Sequence, residues 1–256
     1  MKLDFILYFF SNPDLLKVYF IILGILGLLF MFGIGGTITG IILYFMLFFV
    51  HQKNNYILDG SDNVLLVVLP FLLLANSYSY FIEEKYFPKF EARLRANKLV
   101  VQVAKLFCLG LMIQVCFVYF FTAVAKSEGS LWQKGTALYY VMRVEEFRAT
   151  SWNIPLTENI YFVVIGTYFT MLVEIAMPFL VWFKRTKFFI LLLMSALHIG
   201  IWIFMRIDNF STIMIATYFV FFTDKEYQKA IETVKSYFLI IKNRIYEKRN
   251  NRALQG

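Results

Sequence analysis

The strongest constraint on this chain is a long stretch without a single charge, from Tyr19 to Val50. In hydrocarbon every backbone N–H and C=O must be satisfied within the segment, so such a run becomes helix. One helix of that length would run to about 48 Å, well beyond a hydrocarbon core of ~30 Å. The glycines of Gly33-Ile34-Gly35-Gly36, ahead of Thr37, supply the break. The stretch therefore reads as a helical hairpin, two spans with a tight turn.

Further apolar runs follow: Val64–Ala75, Leu99–Val124, Ile160–Trp182, Phe188–Phe204 and Phe210–Phe222. The expectation is an all-α polytopic transmembrane bundle of about seven spans, with amphipathic surface helices. Residues 1–223 form the bundle and 224–256 a basic tail helix. The composition agrees, at 60% hydrophobic and 16% charged. Soluble domains run nearer half apolar and a quarter charged. Such a composition excludes an ordinary soluble enzyme.

Between the spans the local signals are clear. Phe5–Phe10 reads as a short interfacial segment that is retained, because Asn12-Pro13-Asp14 is no small-residue cleavage site. The same tripeptide starts a helix, with Asn12 or Asp14 as cap. His51–Asn63 is a polar loop with Asx-type turns around Asp59. Tyr78–Ile82 extends the third span, and Glu83–Lys98 reads as a surface helix with its aromatics in lipid. Trp132–Arg148 reads as helix-like and Ser151–Asn159 as a loop. In the tail, Ile231, Val234, Phe238, Ile241 and Ile245 recur at helical spacing.

The net charge is +8, and about half of the excess lies after residue 223. Beside membrane spans the partner this implies is anionic lipid, not nucleic acid. With the tail inside, the inner segments carry sixteen Lys and Arg and the outer segments eight. The positive-inside rule then puts the C-terminus in the cytoplasm. Cys108 and Cys116 lie eight residues apart in one run, about 12 Å along a helix, too far to bridge. No Cys/His cluster suggests a metal.

A few polar groups need a reason. Lys126 leaves an apolar run and Trp132 opens the next segment. That pairing reads either as an interfacial anchor or as a functional lysine at the mouth of a cavity. On the same outer side stand His51, Asp62 and Arg148, which with Trp132 make a candidate substrate-binding rim. Glu174 and His198 lie inside spans, where ionisable residues usually face the bundle interior. Each is twelve residues from Thr186 in the basic turn, roughly 18 Å deep. At equal depth they are expected to pair, as a structural hydrogen bond or as part of a site.

The block around Lys126, read from Ala123 as A-x-x-K-x-x-G-x-x-W-x-x-G-x-A-L-Y-Y, resembles the HTTM domain family. That family includes vitamin K-dependent gamma-carboxylases and bacterial sporulation-delaying protein B-like proteins. His51-Gln-Lys-Asn-Asn with Asp59-Gly-Ser-Asp-Asn63 is similar to its polar loop. Glu174-Ile-Ala-Met-Pro178 is similar to its E-x-x-x-P span, and His198-Ile-Gly with Phe210-Ser211 to a late H-x-G…F-S element.

In the carboxylase branch the resemblance implies that Lys126 is the base that deprotonates a reduced quinone cofactor. Glu174 and His198 would be an intramembrane polar pair and Arg148 an anion clamp. A lysine serves as a base only where its surroundings favour the neutral amine. The carboxylases look to have a paired lysine in this block and a large outer C-terminal domain. Here there is one lysine, Lys126, and a basic tail of about thirty residues, too short for a domain of its own. The chain is closest in size to the sporulation-delaying protein B-like branch, whose members assist maturation of a secreted peptide toxin.

Two functions therefore stand open. One is a membrane enzyme acting from the outer side on a peptide or lipid-soluble substrate. The other is a non-enzymatic helper for maturation or export of a secreted peptide. Either would sit in a bacterial cytoplasmic membrane.

Overall fold

The computed structural model describes residues 12–53, 60–75 and 97–253. The interfacial segment Phe5–Phe10, the turns around Asp59, the extension Tyr78–Ile82 and nearly all of the surface helix Glu83–Lys98 lie outside those residues. Every described element is helical. The chain divides into two compact units, Met1–Thr217 and Tyr218–Gly256.

The first unit opens with α1, Pro13–Met31. Asn12 caps it, its side-chain oxygen accepting from the N–H groups of Asp14 and Leu15 at 3.0 and 3.4 Å. Pro13 sits where its missing N–H costs nothing. The helix stops where the glycines begin. Gly33, Gly35 and Gly36 have φ of 72, 77 and 52°, a region open to glycine and closed to most side chains. The expected break is there, and α2, Gly36–Lys53, returns beside α1. The Tyr19 hydroxyl donates to the Met46 carbonyl at 2.6 Å and ties the hairpin.

Next come α3, Gly60–Leu74, and α4, Lys98–Glu128, capped by Asn97. The segment expected to continue as one helix from Trp132 is instead broken. It forms α5, Ser130–Gln133, and α6, Ala137–Val141. Gly135 turns between them at φ 68°. The expected loop after Ser151 holds a short helix, α7, Asn153–Glu158. Then follow α8, Ile160–Leu180, and α9, Lys184–Met205. Arg206 ends α9 in the left-handed region at φ 57°, and α10, Asp208–Thr217, completes the unit.

Four of these helices, α1, α4, α8 and α9, are long and apolar enough to cross a membrane. The two shorter apolar helices lie within α2 and α3. The core is built where α4 packs on α8, α8 on α9, α9 on α10, and α3 on both α4 and α10. On α4 the buried residues Leu111, Val115, Tyr119 and Ala123 recur every four positions. Val173 and Met177 are buried on α8, which packs against α4, and Ile190, Met194 and His198 form the buried side of α9. The opposite faces expose Ile165, Leu172 and Phe179, and Phe188, Leu192 and Ile203. So much exposed apolar surface suits lipid rather than water. Gly110 shows how close the helices come: a β-carbon there would stand 2.7 Å from the Phe71 ring.

The second unit begins with a 3₁₀ turn, Tyr218–Phe221. It continues as one long helix, α11, Asp224–Ala253.

Candidate functional site

Lys126 lies in the last turn of α4. A lysine there is free to reach outward for water. It reaches sideways instead. Its Nζ donates to Glu174 Oε1 of α8 at 2.5 Å and stands 4.9 Å from the centre of the Trp132 ring. The Lys126 side chain is 22% exposed and that of Glu174 6%, so the pair is shielded on the carboxylate side. Glu174 Oε2 is buried and has no hydrogen-bond partner among the described residues. The Trp132 ring is brought over the amine by the turn at Gly129, where the chain leaves α4 and enters α5.

The expected pair of Glu174 with His198 is not formed. One carboxylate oxygen is taken by Lys126 and the other has no partner among the described residues. His198 Nε2 stands 2.9 Å from the Tyr119 hydroxyl. The expected basic turn is part of α9: α8 ends at Leu180 and α9 begins at Lys184. Glu174 therefore lies nearer the turn than His198, the two stand at different levels, and a third helix supplies both partners. Lys126 and Tyr119 are seven residues apart on α4, two turns on one face and about 10 Å of rise. That face meets Glu174 at one level and His198 at the other.

Beyond His198 the Phe210 ring packs edge-on, with centroids 5.3 Å apart. Phe210 also lies against Gly60 at the start of α3. In α2 and α3 the structure pairs two of the expected rim residues. His51 is buried, with Nε2 3.1 Å from Asp62 and Nδ1 2.5 Å from the Leu47 carbonyl. Arg148 is not brought into this arrangement. It is exposed in the turn after α6, and its side chain makes no hydrogen bond or ion pair among the described residues. Arg143 makes such contacts, with Nε donating to Thr157 at 2.8 Å and the guanidinium 4.1 Å from the Tyr139 ring.

Sequence reading missed two structural residues. Tyr119 was one aromatic among many in an apolar run. Asn153 is wholly buried, and its amide donates to the Met142 and Phe204 carbonyls at 2.9 and 2.7 Å. It holds the segment after α6 against the end of α9. Nothing in its local sequence distinguishes it from a turn asparagine.

A separate groove of about 480 Å³ opens between α3, α4 and α10. Val64, Val118 and Phe121 line it, with Asn63 and Gln114 as polar members. Its lining does not include Lys126, Glu174, Tyr119 or His198. Among the described residues no group of three His, Cys, Asp or Glu could hold a metal ion. Compared with models of known families, with curated proteins and with solved structures, the chain matches none.

The pair joins an ammonium-type donor to a largely buried carboxylate. Burying a charged pair removes both groups from water, a cost that a neutral amine and a carboxylic acid avoid. Glu174 Oε2 can accept a hydrogen bond from a bound molecule, and the Trp132 face can pack against an apolar one.

Proposed function

We propose that this chain is an integral membrane protein that carries out proton-transfer chemistry at the Lys126–Glu174 pair. Its substrate would be a peptide or a lipid-soluble molecule approaching from the outer side. One observation carries the reading. Lys126 turns away from the interface to a buried carboxylate on another helix, which an anchor has no cause to do. In this reading Glu174 takes the ammonium proton, and the neutral amine then removes a proton from the substrate. Tyr119 and His198 offer a second exchangeable pair two turns away along α4.

The resemblance to HTTM proteins fits this use of Lys126. A reduced quinone suits the donor set, since its hydroxyl can give a hydrogen bond to Glu174 Oε2 and its ring can lie on Trp132. When bound it would supply a reactive oxyanion. The remainder of the reading is seven spans, α2, α3 and α10 crossing as shorter elements, with the C-terminus cytoplasmic. A cysteine placed at Asn251 should then resist a membrane-impermeant label in intact cells.

The second reading is a non-enzymatic helper that presents or exports a secreted peptide. It takes the same ion pair as a structural tie between α4 and α8. Mass spectrometry of a peptide encoded beside this gene separates the two. A mass change that needs the protein and disappears in Lys126→Arg supports the enzyme. Secretion that needs the protein with no change in peptide mass supports the helper.

A further inference from the structure

The tail helix carries a pattern that the site does not use. On α11 the residues Tyr227, Ile231, Val234 and Phe238 are spaced by four, three and four. All four are exposed, and Phe238 is 73% so. In the sequence the same spacing runs on through Ile241 and Ile245. An alternation of three and four puts every one of them on a single stripe. An exposed stripe of this length has to be covered by something.

A second copy of the helix is the first candidate, because the spacing is that of a coiled-coil seam. The flanks argue against it. Beside the seam, Lys235, Lys242 and Arg249 follow one another at intervals of seven along one edge. The other edge has Tyr237 and Arg244. Paired helices need opposite charges across these edges. Here base would meet base in either parallel or antiparallel pairing, and like charges repel.

The same flanks suit an anionic surface. From Asp224 to Gly256 there are eight Lys and Arg against four Asp and Glu, a net charge of +4. The helix also follows closely on the apolar unit that contains the membrane-crossing helices. We propose that α11 lies along an anionic membrane surface. Its apolar stripe would enter the boundary between headgroups and acyl chains, with the basic edge at the lipid phosphates. The proposal rests on the membrane reading of the fold and is independent of what Lys126 does.

The test uses the full chain in nanodiscs that hold one copy each. Cys108 and Cys116 are first replaced by alanine. A fluorescent label is then attached to Phe238→Cys on the stripe or to Glu232→Cys on the polar face. Discs of phosphatidylcholine alone are compared with discs containing phosphatidylglycerol. The expected result is that the Phe238→Cys label is shielded from an aqueous quencher in phosphatidylglycerol discs only. The Glu232→Cys label should be quenched in both. Lys235→Gln should lower the shielded-to-exposed ratio roughly fivefold. A Phe238→Cys label open to the quencher in both discs would overturn the proposal and leave an acidic protein partner or a second copy as the cover. Equal shielding in both discs would also overturn it, because charge would then have no part.

Discussion

The first hairpin and the α4–α8–α9 core look alike as sequence and behave differently as structure. Like the three core helices, α1 of the hairpin is apolar and long enough for a bilayer. Yet α1 buries no residue at all, whereas α4 buries Leu111, Val115, Cys116, Tyr119 and Ala123. The polar contacts differ in kind as well. On α1, Tyr19 donates to a backbone carbonyl of α2 and braces the hairpin. In the core, Lys126 and Tyr119 bind side chains on other helices. Hydropathy alone therefore does not separate a lipid-facing helix from one that builds a site. What separates them is polar atoms on a packed face, since a polar group there must find a partner.

The sharpest way to break this contrast is at Lys126. Lys126→Arg should lower activity by roughly 10²–10⁴-fold, the usual weight of a general base. Arg keeps the charge but not the capacity to give up a proton near neutral pH. Melting in detergent should stay near that of the parent. Full activity in this variant would return Lys126 to the role of an anchor, and the site would then be no different in kind from the hairpin.

Packing is the next test. Leu111→Ala removes a side chain that is 2% exposed and should cost about 2–4 kcal/mol in detergent unfolding. The same truncation at Ile21 of α1, which is 61% exposed, should cost about 0.5 kcal/mol or less. Comparable losses at both positions would mean that the hairpin is packed after all.

The ion pair can be isolated with a double-mutant cycle. Lys126→Met and Glu174→Gln should show a coupling of at least about 1 kcal/mol. A cycle between Glu174→Gln and His198→Ala should show less, because the two side chains are not bonded. The reverse order would restore the pair expected from depth alone. The smallest effect should come from Tyr119→Phe, which removes one interhelical hydrogen bond. Such bonds average about 0.6 kcal/mol in membrane bundles, readable as a modest fall in thermal midpoint.

Local structure was legible in the sequence wherever a rule acts over a few residues. Asn12-Pro13-Asp14 starts α1 because an asparagine oxygen and a missing N–H both suit a helix N-terminus. The glycine break after α1 is there because only glycine takes those backbone angles without strain. The helix-like reading past Trp132 failed for the same reason in reverse, since Gly135 was counted as part of a helix that it interrupts. The family resemblance rests on the residues around Lys126 and the three looser segments, and it stands as an expectation.

The partners of the site were a matter for tertiary structure. Sequence determined that Lys126, Glu174 and His198 are ionisable groups in or beside apolar helices. Counting residues gives a depth only once the turn is placed, and α9 already begins at Lys184, within the expected turn. Which groups meet depends on how each helix is rotated and on what packs between them. Those variables belong to the contacts of α4 with α8 and α9 together, which no single segment contains. Only there does Lys126 find Glu174 and Tyr119 find His198.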